Sequence, residues 1–136
     1  FIQTQDFQNN PFPYIILFIM QPYLQLIRLP LLPSALGNIC LGALSAGISQ
    51  TDSLSFILML FSSAFLYASG MVWNDYFDAG IDAIERPERP IPSGKISSKN
   101  AAIFAIILMA MGIGCALSIE LLRGFSGTTL IIALAI

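Results

Sequence analysis

The sequence predicts an all-α fold, a polytopic bundle of transmembrane helices, and two observations carry that prediction. Of 136 residues, 56% are hydrophobic and only 10% are charged, against about 25% charged in an ordinary soluble domain. The apolar residues are also contiguous. Leu29–Ile48, Leu54–Val72 and Ala101–Ile119 contain no charged residue, and each has roughly the 20 residues that cross a hydrocarbon core about 30 Å thick.

Each element follows from local sequence. Residues 1–23 are polar and then apolar, and Pro11, Pro13 and Pro22 are expected to interrupt any long helix there. The short run Pro13–Met20 has no basic segment before it, so it is read as interfacial or half-inserted rather than as a signal peptide. A first membrane helix is expected over 24–48, with Arg28 near its start and Asn38 in its middle. Gln50–Ser53 is a polar turn, and a second helix is expected over 54–82. Residues 83–100 form the one substantial polar loop. A third helix is expected over 101–122, with Ser97, Ser98 or Asn100 as its N-cap. After a turn at Arg123–Gly127, another apolar stretch starts near Thr128 and reaches Ile136. Residues 1–136 are therefore read as one transmembrane domain, the N-terminal portion of a longer bundle.

Composition excludes several chemistries. There is no histidine, which removes histidine metal ligands, histidine general bases and Ser-His-Asp triads. The net charge is −2 with no basic cluster, so nucleic acid is not an expected partner. Cys40 and Cys115 fall inside predicted membrane helices and are read as reduced, small apolar residues. Gly37, Gly42, Gly47, Gly112 and Gly114 are read as sites of close helix packing.

Charge is concentrated at one place. Nine of the fourteen charged residues lie between Asp75 and Lys99, including four of the six basic ones. The positive-inside rule then puts the 83–100 loop on the cytoplasmic side, with Arg28 on the same side. The second apolar run leads directly into Asn74-Asp75-Tyr76-Phe77-Asp78-Ala79-Gly80-Ile81-Asp82. Asn74, Asp78 and Asp82 are spaced by four, which on a helix stacks them on one face about 6 Å apart. Such groups at a membrane boundary are costly unless a cation meets them, and hard oxygen ligands suit Mg²⁺ held together with a diphosphate. Asp75 lies about 100° round the helix from Asn74. It is read as an assisting ligand, a supporting residue or a solvent-facing one.

The loop continues Glu85-Arg86-Pro87-Glu88-Arg89-Pro90-Ile91-Pro92-Ser93-Gly94-Lys95. Its prolines stiffen the chain, and its cations suit phosphate oxygens. A loop of this composition is also compatible with plain surface ion pairs. The spacing of the ladder and the proline frame favour a diphosphate cradle.

This pattern resembles the first signature of the UbiA superfamily of intramembrane prenyltransferases. Asn74-Asp75-x-x-Asp78-x-x-x-Asp82 followed by Arg89-Pro90-Ile91-x-Ser93-Gly94 matches the family motif, and Arg28-Leu29-Pro30 is similar to its first-helix element. The likeness extends from about Tyr23 to Leu122. It implies about nine transmembrane helices around a central cavity, and prenyl transfer from a polyprenyl diphosphate to an aromatic or other lipophilic acceptor. It also implies Mg²⁺ held between two Asp-rich motifs, of which this chain holds the first. On that basis Asn74, Asp75, Asp78 and Asp82 are the expected metal ligands, and Arg86, Arg89 and Lys95 the expected diphosphate ligands. Asp78, Asp82 and Arg89 are the residues expected to carry catalysis. Arg28, Asn38 and Tyr76 are expected to line the acceptor or prenyl pocket, where Trp73 and Phe77 are further aromatic candidates. The loop resembles chlorophyll-synthase and archaeal ether-lipid branches, but Glu85-Arg86-Pro87-Glu88 departs from the Asn-Glu-Pro-Tyr of chlorophyll synthases. A transporter, or a non-catalytic assembly protein on the same fold, is the alternative.

Overall fold

The computed structural model describes residues 12–45 and 53–123. Their regular structure is helical throughout: α1 (Phe12–Leu26), a 3-10 turn (Leu29–Leu31), α2 (Leu32–Ser45), α3 (Ser53–Phe77), α4 (Ala79–Glu85) and α5 (Ser98–Arg123). Residues 46–52, the turn after Arg123, Gly47 and the stretch from Thr128 lie outside the described residues.

Among the described residues two helices are long and apolar enough to cross a membrane, Ser53–Phe77 and Ser98–Leu122, each of 25 residues, and the bent pair Ile16–Leu26 and Leu29–Ser45 would make a third if it is one span. At 1.5 Å per residue each of the two long helices is about 37 Å long, more than the hydrocarbon core requires. The first membrane helix departs from expectation. It does not run unbroken over 24–48. Instead α1 continues through Pro22 to Leu26, and the chain then bends by 52° before Leu29–Ser45. Pro22 costs α1 one backbone hydrogen bond without ending it, as membrane helices often tolerate. The break falls at Ile27–Arg28, just ahead of Pro30. There Arg28 adopts φ 48°, ψ 52°, and Leu31 N–H bonds to Arg28 C=O at 2.8 Å.

The α3–α5 pair is the spine of the structure. Ser62 Oγ donates to Gly112 C=O and Ser69 Oγ to Ala105 C=O, both at 2.9 Å. Donors seven residues apart on α3 meet acceptors seven apart on α5, as in an antiparallel heptad seam. Ser55, one heptad earlier, is also buried. On α5 the buried residues Ala101, Ala105, Leu108, Ala116 and Ile119 keep the same stripe. Without a strong hydrophobic drive between helices in lipid, small side chains and interhelical hydrogen bonds supply the cohesion.

Glycine packing is narrower than expected. A Cβ on Gly112 would lie 2.7 Å from Leu66 Cγ and 3.2 Å from the Leu66 backbone nitrogen, whereas Gly37, Gly42 and Gly114 face open space in the described structure. Gly112→Ala is therefore expected to lower stability by about 1 kcal/mol or more, the scale of overpacking. Gly114→Ala is expected to be neutral or stabilising, because alanine is the better helix former. Thermal unfolding in detergent of the two variants checks this.

At one end of the spine the core gathers Leu26, Val72, Ile91, Ile96, Ala101 and Ala105. Ile91 and Ile96 come from the polar loop, so that loop is pinned to the bundle by buried side chains. Its turns close through Ser93 N–H to Arg89 C=O at 2.9 Å and Ile96 N–H to Pro90 C=O at 3.0 Å. Gly94 supplies the positive φ, 74°, that other residues adopt only at a cost. Ser97 is the N-cap of α5, its Oγ accepting Asn100 N–H at 3.2 Å.

Candidate functional site

The pinned loop, the end of α3 and the α1–α2 bend converge on one cluster of charges. The motif helix is almost continuous: Asp78 N–H bonds to Asn74 C=O at 2.9 Å and Asp82 N–H to Asp78 C=O at 2.8 Å. Asp78 itself sits at φ −81°, ψ −3°, at the edge of the right-handed helical region, between α3 and α4. The ladder does not present one face. Asn74 and Asp78 are exposed, and Asp82 is buried.

Asp75 is also buried, at 5% exposure, so it is not the solvent-facing residue its offset allowed. Arg28 Nη2 donates to Asp75 Oδ1 at 2.7 Å, and Arg89 Nη1 approaches the same oxygen at 3.3 Å. Arg89 Nη1 also reaches Asp82 Oδ2 at 2.5 Å. Two carboxylates and two guanidiniums thus form one neutral network. Pairing of this kind is what makes burial of such charges tolerable.

The remaining candidates divide. Asn38 and Asn74 line one cavity of about 470 Å³ between α2 and α3, together with Ser34, Ser63, Tyr67 and Met71. Tyr76 contacts Trp73 and Phe77 in an aromatic cluster, with ring centroids 5.4 and 5.3 Å away, and is absent from that cavity lining. Trp73 stacks on Phe77 at 5.6 Å. Arg86 is exposed. Lys95 lines a separate groove of about 380 Å³ with Phe18, Gln21, Tyr23 and Gln25 of α1. Among the described residues no three Asp, Glu or Cys side chains converge as a ready-made metal cage. Sequence reasoning missed the serine seam, which a search for heptads of small polar residues would have found. It also missed the Arg28–Asp75 contact, for which a single sequence holds no signal.

Residues 35–136 match the UbiA prenyltransferase family. The chain belongs to that family. Curated relatives of this UbiA chain include the digeranylgeranylglyceryl phosphate synthases of Methanopyrus kandleri, 42% identical over 71% of the chain and 35% of the relative, and of Methanocaldococcus jannaschii, 38% identical over 75% and 36%. A solved structure from work on digeranylgeranylglyceryl phosphate synthase in membranes superposes with a TM-score of 0.76 at 36% identity, covering 86% of this chain and 40% of that one. The UbiA-type helical membrane fold is thereby established, and the chain spans about a third of the length of these curated relatives.

Proposed function

We propose that this UbiA segment forms one wall of an active site that moves a prenyl group from a polyprenyl diphosphate to a lipophilic acceptor inside the membrane. The observation that carries the proposal is the meeting of Arg28 and Arg89, fixed by buried Asp75 and Asp82 of the same motif that leaves Asn74 and Asp78 exposed. Cations held in place by a motif with accessible hard ligands describe a receptor for a diphosphate and a divalent cation.

Mg²⁺ fits this donor set. It commonly takes one or two carboxylates and fills its octahedron with substrate phosphate oxygens and water, so a site without three converging acids suits it. Asp78 and Asn74 are the accessible ligands. Asp82 is the adjoining carboxylate, and Asp75 lies against the two guanidiniums. When bound, the ion supplies Lewis-acid stabilisation of the leaving oxygen. Arg89, with exposed Arg86 nearby in the loop, neutralises the diphosphate as the carbon–oxygen bond to it breaks, and Lys95, in its groove against α1, is the outlying cation. The allylic carbon becomes cationic, and the acceptor attacks it. The cavity bounded by Asn38, Tyr67 and Met71 is the space on this wall where the prenyl chain would lie. The second wall comes from outside these 136 residues, and the 83–100 loop faces the cytoplasm.

Relatives named for digeranylgeranylglyceryl phosphate favour a glyceryl-phosphate lipid as the acceptor. Its hydroxyl oxygen would form the new carbon–oxygen bond and lose its proton, with pyrophosphate leaving. This agrees with the loop's departure from the tetrapyrrole branch. The test uses a protein of the relatives' length containing this segment, geranylgeranyl diphosphate and geranylgeranylglyceryl phosphate. Pyrophosphate release together with a diether product by mass spectrometry is expected. Solute flux in proteoliposomes without pyrophosphate release would support a transporter instead.

A further inference from the structure

Asp75 differs from Asn74 and Asp78 by its burial, and from Asp82, which meets Arg89 alone, by meeting two guanidiniums. Its side chain is 6% exposed, and one of its oxygens, Oδ1, already meets both Arg28 and Arg89. A cation bound to this carboxylate would share it with two guanidiniums and sit beside two positive charges in a poorly screened site. Asn74 and Asp78 lie open to solvent instead.

The Arg28 end is built for holding, too. Arg28 is the one non-glycine residue with positive φ among those described, a conformation uncommon for arginine. It stands at the 52° bend between α1 and α2, and its contact with Asp75 spans 47 residues of sequence. Unfavourable backbone geometry persists where surrounding contacts over-determine it. The bend, the left-handed residue and the ion pair together aim this guanidinium. Arg28 and Arg89 keep 34% and 19% of their side chains exposed. Each guanidinium has five donors, so both retain N–H groups for another anion.

We propose that Asp75 is an arginine-positioning residue rather than a metal ligand, holding Arg28 and Arg89 together as a two-pronged clamp for phosphate oxygens. The role rests on the diphosphate site proposed above. Arg28, which lies ahead of the family match at residue 35, thereby joins the anion site rather than the acceptor pocket. Asp75→Asn is tolerable to the fold, because Arg89 keeps Asp82 and Arg28 reaches solvent.

The experiment uses Trp73, the single tryptophan of the described segment and the residue before Asn74, as a fluorescent reporter. Any tryptophan elsewhere in the full-length protein is replaced by phenylalanine. Inorganic pyrophosphate is titrated at saturating Mg²⁺, and Mg²⁺ at saturating pyrophosphate. Asp75→Asn is expected to weaken pyrophosphate about 10-fold, the scale of a lost charge-assisted contact, and to leave the Mg²⁺ midpoint within about twofold. Asp78→Asn is expected to shift the Mg²⁺ midpoint instead. A Mg²⁺ shift for Asp75→Asn matching that of Asp78→Asn would overturn the assignment. Pyrophosphate affinity for Arg28→Gln, Asp75→Asn and their double variant adds an independent arm. Non-additive losses support the clamp, and additive losses refute it. Loss of pyrophosphate binding in the unsubstituted protein would instead overturn the diphosphate site itself, and the clamp with it.

Discussion

Asp78→Asn in the full-length protein is expected to lower prenyl transfer about 10²–10³-fold, the range seen when one preorganised group that stabilises transition-state charge is lost. The substitution is nearly isosteric, and Asp78 is exposed with no side-chain contact to the buried network. The fold should therefore shift by no more than about 0.5 kcal/mol, as for surface changes generally. That separation makes the experiment informative: activity falls while unfolding temperature holds. Pyrophosphate release measured across a range of Mg²⁺ concentrations should show a raised half-saturation, because an amide is a weaker ligand for a hard cation than a carboxylate. Unchanged turnover and unchanged half-saturation would sink the metal role of Asp78. An equal loss at every Mg²⁺ concentration, saturation included, would move Asp78 from cation binding to the diphosphate or the acceptor.

The contrast between Asp78 and Asp75 marks how far a sequence can be read. Uncharged runs announced the two long spans, because a bilayer demands some 20 apolar residues whatever else surrounds them. The spacing of Asn74, Asp78 and Asp82 announced a nearly continuous motif helix, because helical periodicity is local, but not that Asp82 is buried while Asn74 and Asp78 stay exposed. What periodicity does not contain is the partner. The offset of Asp75 from Asn74 fixes only a direction. That direction leads inward to Arg28 because the chain bends at Arg28, and the bend is a tertiary outcome. The sequence alone makes Pro22 an interruption and Arg28 part of a helix beginning near 24. In the structure Pro22 is inside α1 and Arg28 is at the break. A missing N–H at Pro22 costs one hydrogen bond without ending the helix, whereas the break falls where the chain restarts on Pro30 and Arg28 meets Asp75. The loop followed local rules more closely. Its prolines and Gly94 form turns where turns were expected, but only packing reveals that Ile91 and Ile96 are anchors.

Arg89 should be the most destabilising site of the loop to truncate. Arg89→Ala removes the cation nearest to Asp82 and one of two from Asp75, and both carboxylates are buried. Breaking a buried pair from one side costs about 3–5 kcal/mol, since the remaining charge stays desolvated. The partial exposure of Arg89 puts the expected loss near the lower end, about 3 kcal/mol. That is a large share of the 5–15 kcal/mol that holds a typical domain together. The exposed Arg86→Ala should change stability by no more than about 0.5 kcal/mol. Function and stability can then be separated by neutralising the orphaned acid. Arg89→Ala combined with Asp82→Asn should recover most of the lost unfolding temperature, because an uncharged amide needs no cation. Pyrophosphate binding should stay weak in that double variant, because the clamp has lost a prong. If the double variant regains both stability and binding, Arg89 is a structural counter-ion alone. If it regains neither, the destabilisation does not come from Asp82.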